Sequence, residues 1–327
     1  MMKHKAQRDS DTVHLNNKMF AIHVLNFCTL SCGGCDQFCG YFNKKKNWVI
    51  SLDELNKAIE VFKDYRKNWK YKSFPASNKI VLIYGGEPTL HPQFDAILDC
   101  LYSNPDIPFV IYTNGRTFVR ELKDVDLEVS QKNISRQVYH HPNLPKTGYA
   151  KYREIFRFYH THEKNVAYRI DLKNSQVRDM FIPTLCAPCD LQQANQGWSA
   201  AKKRCYKWQQ CENAIYKGRA YVCNVAAAMD LMFYEGKYGW AVGNSNPFEK
   251  TAKQIAEQMQ HFCHRCGYNF QGNLEGFDEI TEKTQYIHKG SLITKTNYRD
   301  IDKHAPFTHK LELIDLAIKK TPPELFR

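Results

Sequence analysis

Cys28, Cys32 and Cys35 stand at C-x3-C-x2-C spacing. Iron–sulfur clusters are ordinarily held by four cysteine thiolates. Three cysteines in one short loop can hold three irons of a four-iron cluster, which leaves one iron for a ligand other than a protein thiolate. A zinc loop fits the same spacing, and a chance grouping in a cysteine-rich chain is the bland alternative. Cys39 follows closely and reads either as a fourth ligand or as a thiol packed against the loop.

A second set lies in the other half of the chain. Cys205 and Cys223 bracket the segment Ala214-Ile215-Tyr216-Lys217-Gly218-Arg219-Ala220-Tyr221-Val222, which reads as strand, glycine turn, strand. Cys263-His264-Arg265-Cys266 follows as a C-x2-C pair. Together these give four thiolates, enough to saturate an iron–sulfur cluster, and equally a four-cysteine zinc site. Cys211 also precedes the hairpin and rivals Cys205. Cys186-Ala187-Pro188-Cys189 is open between a redox pair, metal ligands, substrate-facing thiols and a structural turn. Cys100 reads as a packing thiol.

The chain that must position these groups has 327 residues, 43% hydrophobic and 24% charged, which is ordinary for a globular protein. No apolar run approaches the ~20 residues of a membrane span. The N-terminus is basic with no apolar segment behind it, so no secretory signal is expected and a cytoplasmic location is. In that compartment twelve cysteines read as metal ligands rather than disulfides. The formal charge of +12 favours acidic or polyanionic partners. Arg66-Lys67-Asn68-Trp69-Lys70-Tyr71-Lys72, with Lys44-Lys45-Lys46 and Trp48, can grip phosphates and stack bases, or form a solvated helix end and loop.

Residues 1–17 are polar and read as a loose arm. Phe20-Ala21-Ile22-His23-Val24-Leu25-Asn26 reads as a strand that delivers Cys28 at its C-terminal end. Ser51-Leu52-Asp53-Glu54 is a capping box, and the apolar spacing after it predicts a helix from about Leu52 to Tyr65. Lys79-Ile80-Val81-Leu82-Ile83-Tyr84 is a buried strand running into Gly85-Gly86-Glu87-Pro88. There the glycines let backbone approach a ligand and Glu87 can pair with an ammonium group. Phe94, Ile97, Leu98 and Leu101 predict a helix, and residues 108–115 a third strand ending in Thr113-Asn114-Gly115. Residues 127–130 read as a weaker strand ending in Ser130, residues 151–160 as a helix, and residues 166–172 as a fifth strand. Alternating strands and helices imply an α/β fold with a parallel sheet and right-handed crossovers. Ligands of such sheets sit at the C-terminal strand ends. The cysteine triplet, Gly85–Pro88 and Thr113–Gly115 all fall there. After Gly267 no clear period returns until residues 307–319, read as a closing helix.

With these motifs in order, residues 18–175 resemble the core of the radical S-adenosylmethionine (SAM) superfamily. The resemblance implies a partial (β/α)6 TIM-like barrel, spanning residues 18–200. A [4Fe-4S] cluster on Cys28, Cys32 and Cys35 would carry SAM on its fourth iron. Gly85, Gly86, Glu87 and Pro88 match the segment that contacts the SAM amino group, and Thr113 and Asn114 a common third-strand ending. On the same resemblance Ser130 would make a polar contact to the SAM ribose or carboxylate, and Arg169 on the fifth strand is a further candidate contact. One departure is Gly34, where the family often has an aromatic near the adenine; Phe38 or a later aromatic must then serve. Residues 201–270 resemble a twitch or SPASM-like domain, a small cysteine-rich hairpin and helix unit. The C-x12-G-x4-C run from Cys205 to Cys223 fits its pattern and favours Cys205 over Cys211. An auxiliary [4Fe-4S] cluster on Cys205, Cys223, Cys263 and Cys266 follows from the likeness. Residues 271–327 are an extension.

The resemblance implies reductive cleavage of SAM to a 5′-deoxyadenosyl radical that takes hydrogen from a substrate. The auxiliary cluster would accept an electron in an oxidation of a small, sugar-like molecule. A reductant such as flavodoxin or ferredoxin is implied as a partner. Two other readings stand: radical modification of a peptide or nucleic acid, and a cysteine-rich metal-binding module without turnover. No membrane partner is expected.

Overall fold

The computed structural model describes residues 12–14, 19–30, 35–39, 41, 47–67, 80–114, 134–137, 155–162, 166–172, 185, 187, 205, 212–243, 246–267, 284–288 and 291–294. In chain order the elements are β1 (Thr12–His14), β2 (Met19–Leu25), α1 (Leu52–Lys67), β3 (Ile80–Gly85), α2 (Phe94–Tyr102), β4 (Phe109–Thr113), β5 (Ile134–Gln137), β6 (Ile155–His162) and β7 (Val166–Leu172). They continue with β8 (Glu212–Tyr216), β9 (Arg219–Tyr221), α3 (Asn224–Tyr234), β10 (Trp240–Ala241), β11 (Glu249–Thr251), α4 (Ala252–Cys263), β12 (Thr284–His288) and β13 (Ser291–Thr294).

The fold is mixed α/β around a mostly parallel sheet. Nine strands lie in the order β10-β9-β8-β2-β3-β4-β7-β6-β5. The inner run β8, β2, β3, β4 and β7 is parallel, and the flanks at both edges are antiparallel. The expected strands at residues 20–26, 79–84, 108–113 and 166–172 are all present, in adjacent places. Parallel pairing explains their continuous apolar runs, because helices and loops cover both faces of such a sheet.

Helix α1 begins where the capping box places it. Ser51 N–H donates to Glu54 Oε2 at 2.9 Å, and Glu54 N–H donates to Ser51 Oγ at 3.2 Å. Its buried face, Leu55, Ala58, Ile59, Phe62 and Tyr65, lies on the sheet. The Phe62 and Tyr65 rings sit 5.2 and 5.3 Å from Phe20 of β2, and the Tyr65 hydroxyl donates to Asn213 Oδ1 at 2.8 Å. One helix thus fastens β2, which leads into the cysteine loop, to β8.

Three expectations are corrected. Where a helix was expected over residues 151–160, Ile155–His162 form β6, paired antiparallel to both β5 and β7. The run Ile155-Phe156-Arg157-Phe158-Tyr159-His160-Thr161-His162 is rich in aromatic and β-branched residues, which suit a pleated surface better than a helix. The N-terminal arm is tied down at Thr12–His14, which pairs antiparallel with Glu249–Thr251. The extension after residue 270 contains the β12–β13 hairpin. The weak strand at residues 127–130 and the closing helix at residues 307–319 lie outside the described residues.

The hairpin assigned to a separate unit at residues 201–270 is continuous with the main sheet, because β8 pairs parallel with β2. Its turn is Lys217-Gly218, with φ of 50° and 66°. Positive φ at both central residues is the two-residue turn whose twist matches that of paired strands.

Candidate active site and second cysteine site

The first site forms where β2, β3 and β4 end side by side. An open cleft is lined by Cys28, Leu30, Cys35, Asp36, Gln37 and Cys39 from the cysteine loop. Tyr84, Gly85, Gly86 and Glu87 from the end of β3 and Tyr112, Thr113 and Asn114 from the end of β4 complete it. The three segments singled out in the sequence therefore meet on one cleft.

The two glycines serve the backbone first. A Cβ on Gly85, whose φ is +133°, would lie 2.3 Å from the Leu25 carbonyl oxygen. One on Gly86 would lie 1.8 Å from that of Phe27. Close approach allows Gly86 N–H to donate to Leu25 O at 3.1 Å and Glu87 N–H to Phe27 O at 2.9 Å. These bonds clamp the end of β3 onto the chain that enters the cysteine loop.

Glu87 is 1% exposed and gathers the strand ends. Its Oε1 accepts from Thr89 N–H at 3.3 Å, the Thr89 hydroxyl at 2.7 Å and the Thr113 hydroxyl at 2.6 Å. Its Oε2 accepts from Asn114 N–H at 2.7 Å. Asn114 passes the connection on, since its Nδ2 donates to Thr29 Oγ1 at 3.2 Å and to Cys28 Sγ at 3.5 Å. Leu30 N–H donates to the same sulfur at 3.3 Å. Donors aimed at sulfur suit a thiolate that carries metal, and they tune a cluster's potential. Thr113 and Asn114 thus act together with Glu87, as their spacing at a strand end suggested. Pro88 is buried and opens the short 3₁₀ turn Pro88–Leu90.

Cys39 lies against Cys35. The hydrogen bond from the Cys39 thiol brings Cys35 down to about 6, against the opposing effects of burial and the Asp36 charge. The same bond, then burial and the nearby Cys35, Cys28 and Asp36 charges, push Cys39 well above an ordinary thiol. Phe38, a candidate adenine platform, is fully buried, and the cleft's aromatic lining comes from Tyr84 and Tyr112. Cys32, Gly34, Ser130, Cys186, Cys189 and Cys211 lie outside the described residues. Arg169 is placed by register only, opposite Tyr112 of β4.

The second site is built at the ends of two helices. Cys223 is the N-cap of α3, and its sulfur accepts from Ala226 N–H at 3.4 Å. A helix N-terminus stabilises a thiolate at that place. Cys263 closes α4, whose start is a capping box between Thr251 and Gln254. Gln258 docks α4 onto the hairpin: its Oε1 accepts from Val222 N–H at 2.8 Å, and its Nε2 donates to Ala220 O and Tyr238 O, each at 3.2 Å. This sets the end of α4, and with it Cys263, beside the hairpin that leads to Cys223. Burial first, then the charges of Cys223 and Cys205, pushes the Cys263 thiol up. Cys266 follows Cys263 three residues on, just past the end of α4. Among the described residues no three His, Cys, Asp or Glu side chains are arranged to hold a single metal ion.

Sequence reasoning missed Asp36, Gln37, Tyr84 and Tyr112 as lining residues. Their signal was position, since each flanks a motif residue or lies two beyond it. It also missed Gln258 and Asn224, whose partners are distant in the chain. Arg66, offered as a phosphate grip, pairs instead with the Asp106 carboxylate and donates to Asp106 O at 3.1 Å. Residues 68–79 lie outside the described residues. Among the described residues no helix is long and apolar enough to cross a membrane.

No protein-family model matches the chain, and no curated protein matches it.

Proposed function

We propose that the chain is a radical SAM enzyme, carrying one [4Fe-4S] cluster with SAM and an auxiliary [4Fe-4S] cluster. The observation that carries this reading is the meeting of Cys28 and Cys35 with Gly85–Glu87 and Thr113–Asn114 on one cleft at parallel strand ends. Bound there, the two groups would supply an electron to cleave SAM and a radical that takes hydrogen from substrate.

The donor set fits. Cys28 and Cys35, with Cys32 between them, offer three thiolates, and two N–H groups already point at the Cys28 sulfur. The described lining holds two carboxylates, Asp36 and Glu87, and no lysine, arginine or histidine, in a chain of formal charge +12. A sulfonium that also carries an ammonium group suits such a lining. The Glu87 carboxylate has three donors on Oε1 and one on Oε2, so an acceptor position on Oε2 remains for that ammonium. The parallel run β8-β2-β3-β4-β7 is compatible with a partial (β/α)6 barrel. Ser130 and Pro88 belong to the proposed SAM site through the resemblance alone.

Cys205, Cys223, Cys263 and Cys266 hold the auxiliary cluster in this reading, with an electron-accepting role in oxidation of a small molecule. A flavodoxin or ferredoxin as reductant and a cytoplasmic location belong to the same proposal. Anaerobic reconstitution tests it. The expected product binds about eight irons per chain for two four-iron clusters and releases 5′-deoxyadenosine from SAM under dithionite. Replacing Cys28, Cys32 or Cys35 by Ala abolishes release, while replacing Cys263 and Cys266 spares at least uncoupled cleavage. Zinc in place of iron, or intact SAM after reduction, would refute the proposal in favour of a metal-binding module.

A further inference from the structure

The residue after Cys35 and the residue after Cys223 touch. Asn224 Nδ2 donates to Asp36 Oδ2 at 3.4 Å, across 188 positions of sequence. Both are buried, Asn224 at 0% and Asp36 at 7% exposure. Asp36 also accepts from the Tyr84 hydroxyl at 3.4 Å and from Gln37 Nε2 at 3.3 Å. So the carboxylate one residue from a first-site cysteine is held by an amide one residue from a second-site cysteine.

The two ends lie in different kinds of backbone. Asn224 opens α3, a helix buried along nearly its whole length and capped by Cys223 itself. Asp36 sits in a loop. The bond between Asn224 and Asp36 therefore links the start of the helix, next to Cys223, to the loop next to Cys35. Asn224 Oδ1 is buried and has no hydrogen-bond partner among the described residues. Burying half an amide unsatisfied is costly. An apolar side chain would carry no such cost, so the amide is explained by the bond that its nitrogen makes.

We propose that Asn224 is a positioning residue that couples the two cysteine sites, so that occupancy of the second sets the geometry and potential of the first. The coupling rests on the iron–sulfur reading of both sites. Hydrogen bonds around a cluster are among the levers that set its potential. Coupling between sites usually amounts to ~5–150-fold. A value near tenfold in the oxidised-to-reduced ratio corresponds to ~59 mV for a one-electron couple.

The test is an EPR-monitored redox titration of the full chain, reconstituted anaerobically with iron and sulfide. The first site's signal is the one lost in Cys28→Ala. Its midpoint is measured with the second site intact and in Cys263→Ser/Cys266→Ser, each with Asn224 and with Asn224→Ala. The expected result is a shift of about tenfold in that ratio on removing the second site, abolished by Asn224→Ala. If Asn224→Ala loses its far-UV circular dichroism, Asp36→Ala cuts the same bond from the loop side. An equal shift in both backgrounds, or none in the wild type, overturns the coupling while two clusters still form. A wild-type protein with no iron centre overturns the underlying reading, and the coupling with it.

Discussion

Replacing Glu87 by Gln is the sharpest probe of the first site, because it changes charge and one acceptor while keeping shape. The carboxylate takes four hydrogen bonds, three on Oε1 and one on Oε2. The amide can keep its oxygen toward the three donors on the Oε1 side. Its NH2 then faces Asn114 N–H, a donor against a donor, where a 2.7 Å bond had been. A hydrogen bond to a charged group contributes about 1.5–3 kcal/mol, and a buried donor left unsatisfied costs about 1–3 kcal/mol. These overlap, so we expect a loss of about 3 kcal/mol for Glu87→Gln, and more for Glu87→Ala, which removes all four bonds. Urea unfolding of metal-free protein measures it. The same change should disturb the Asn114 contact with Cys28, read in iron-loaded protein as a shifted EPR signal. A Glu87→Gln variant within about 0.5 kcal/mol of wild type, the ordinary scatter of surface changes, would refute the role given to this carboxylate.

Gly86→Ala should fail to accumulate as folded protein, since its Cβ would sit 1.8 Å from the Phe27 carbonyl oxygen; soluble yield and circular dichroism check this. Cys39→Ser should keep both clusters and SAM cleavage, and loss of about four irons per chain would instead make Cys39 the fourth ligand. His261, stacked 3.5 Å from Tyr238, is lowered from 6.5 mainly by burial, with Asp230 and Glu257 raising it and Lys237 lowering it further. The folded protein then binds that proton less well than the unfolded chain. Its stability contribution is present above about 6.5 and is lost as pH falls through the lowered value. His261→Gln should flatten the fall in urea midpoint between pH 7 and 5, and an unchanged slope would count against burial as the cause.

The strand ends were legible because each combines local signals. An apolar run followed by Gly85-Gly86 or by Thr113-Asn114 marks a buried strand and its exit in a few residues. The capping box at Ser51 and the turn at Gly218 are likewise contained within four residues or fewer. The helix expected over residues 151–160 gave way to β6, because the aromatic and β-branched content of residues 155–162 suits a pleated surface. The strand Thr12–His14 was not legible, since its partner is more than two hundred residues away.

By itself the sequence determined where cysteines stand at ligand-like spacing and where the strands β2, β3, β4 and β7 run, because spacing and apolar runs are properties of neighbours in the chain. Only the tertiary structure decided why Gly85 and Gly86 must be glycine, that Glu87 ties β3 to β4, and that β8 joins β2. It alone also brought Asn224 to Asp36. Close packing and buried hydrogen bonds join residues by distance in space, and no local pattern encodes that distance.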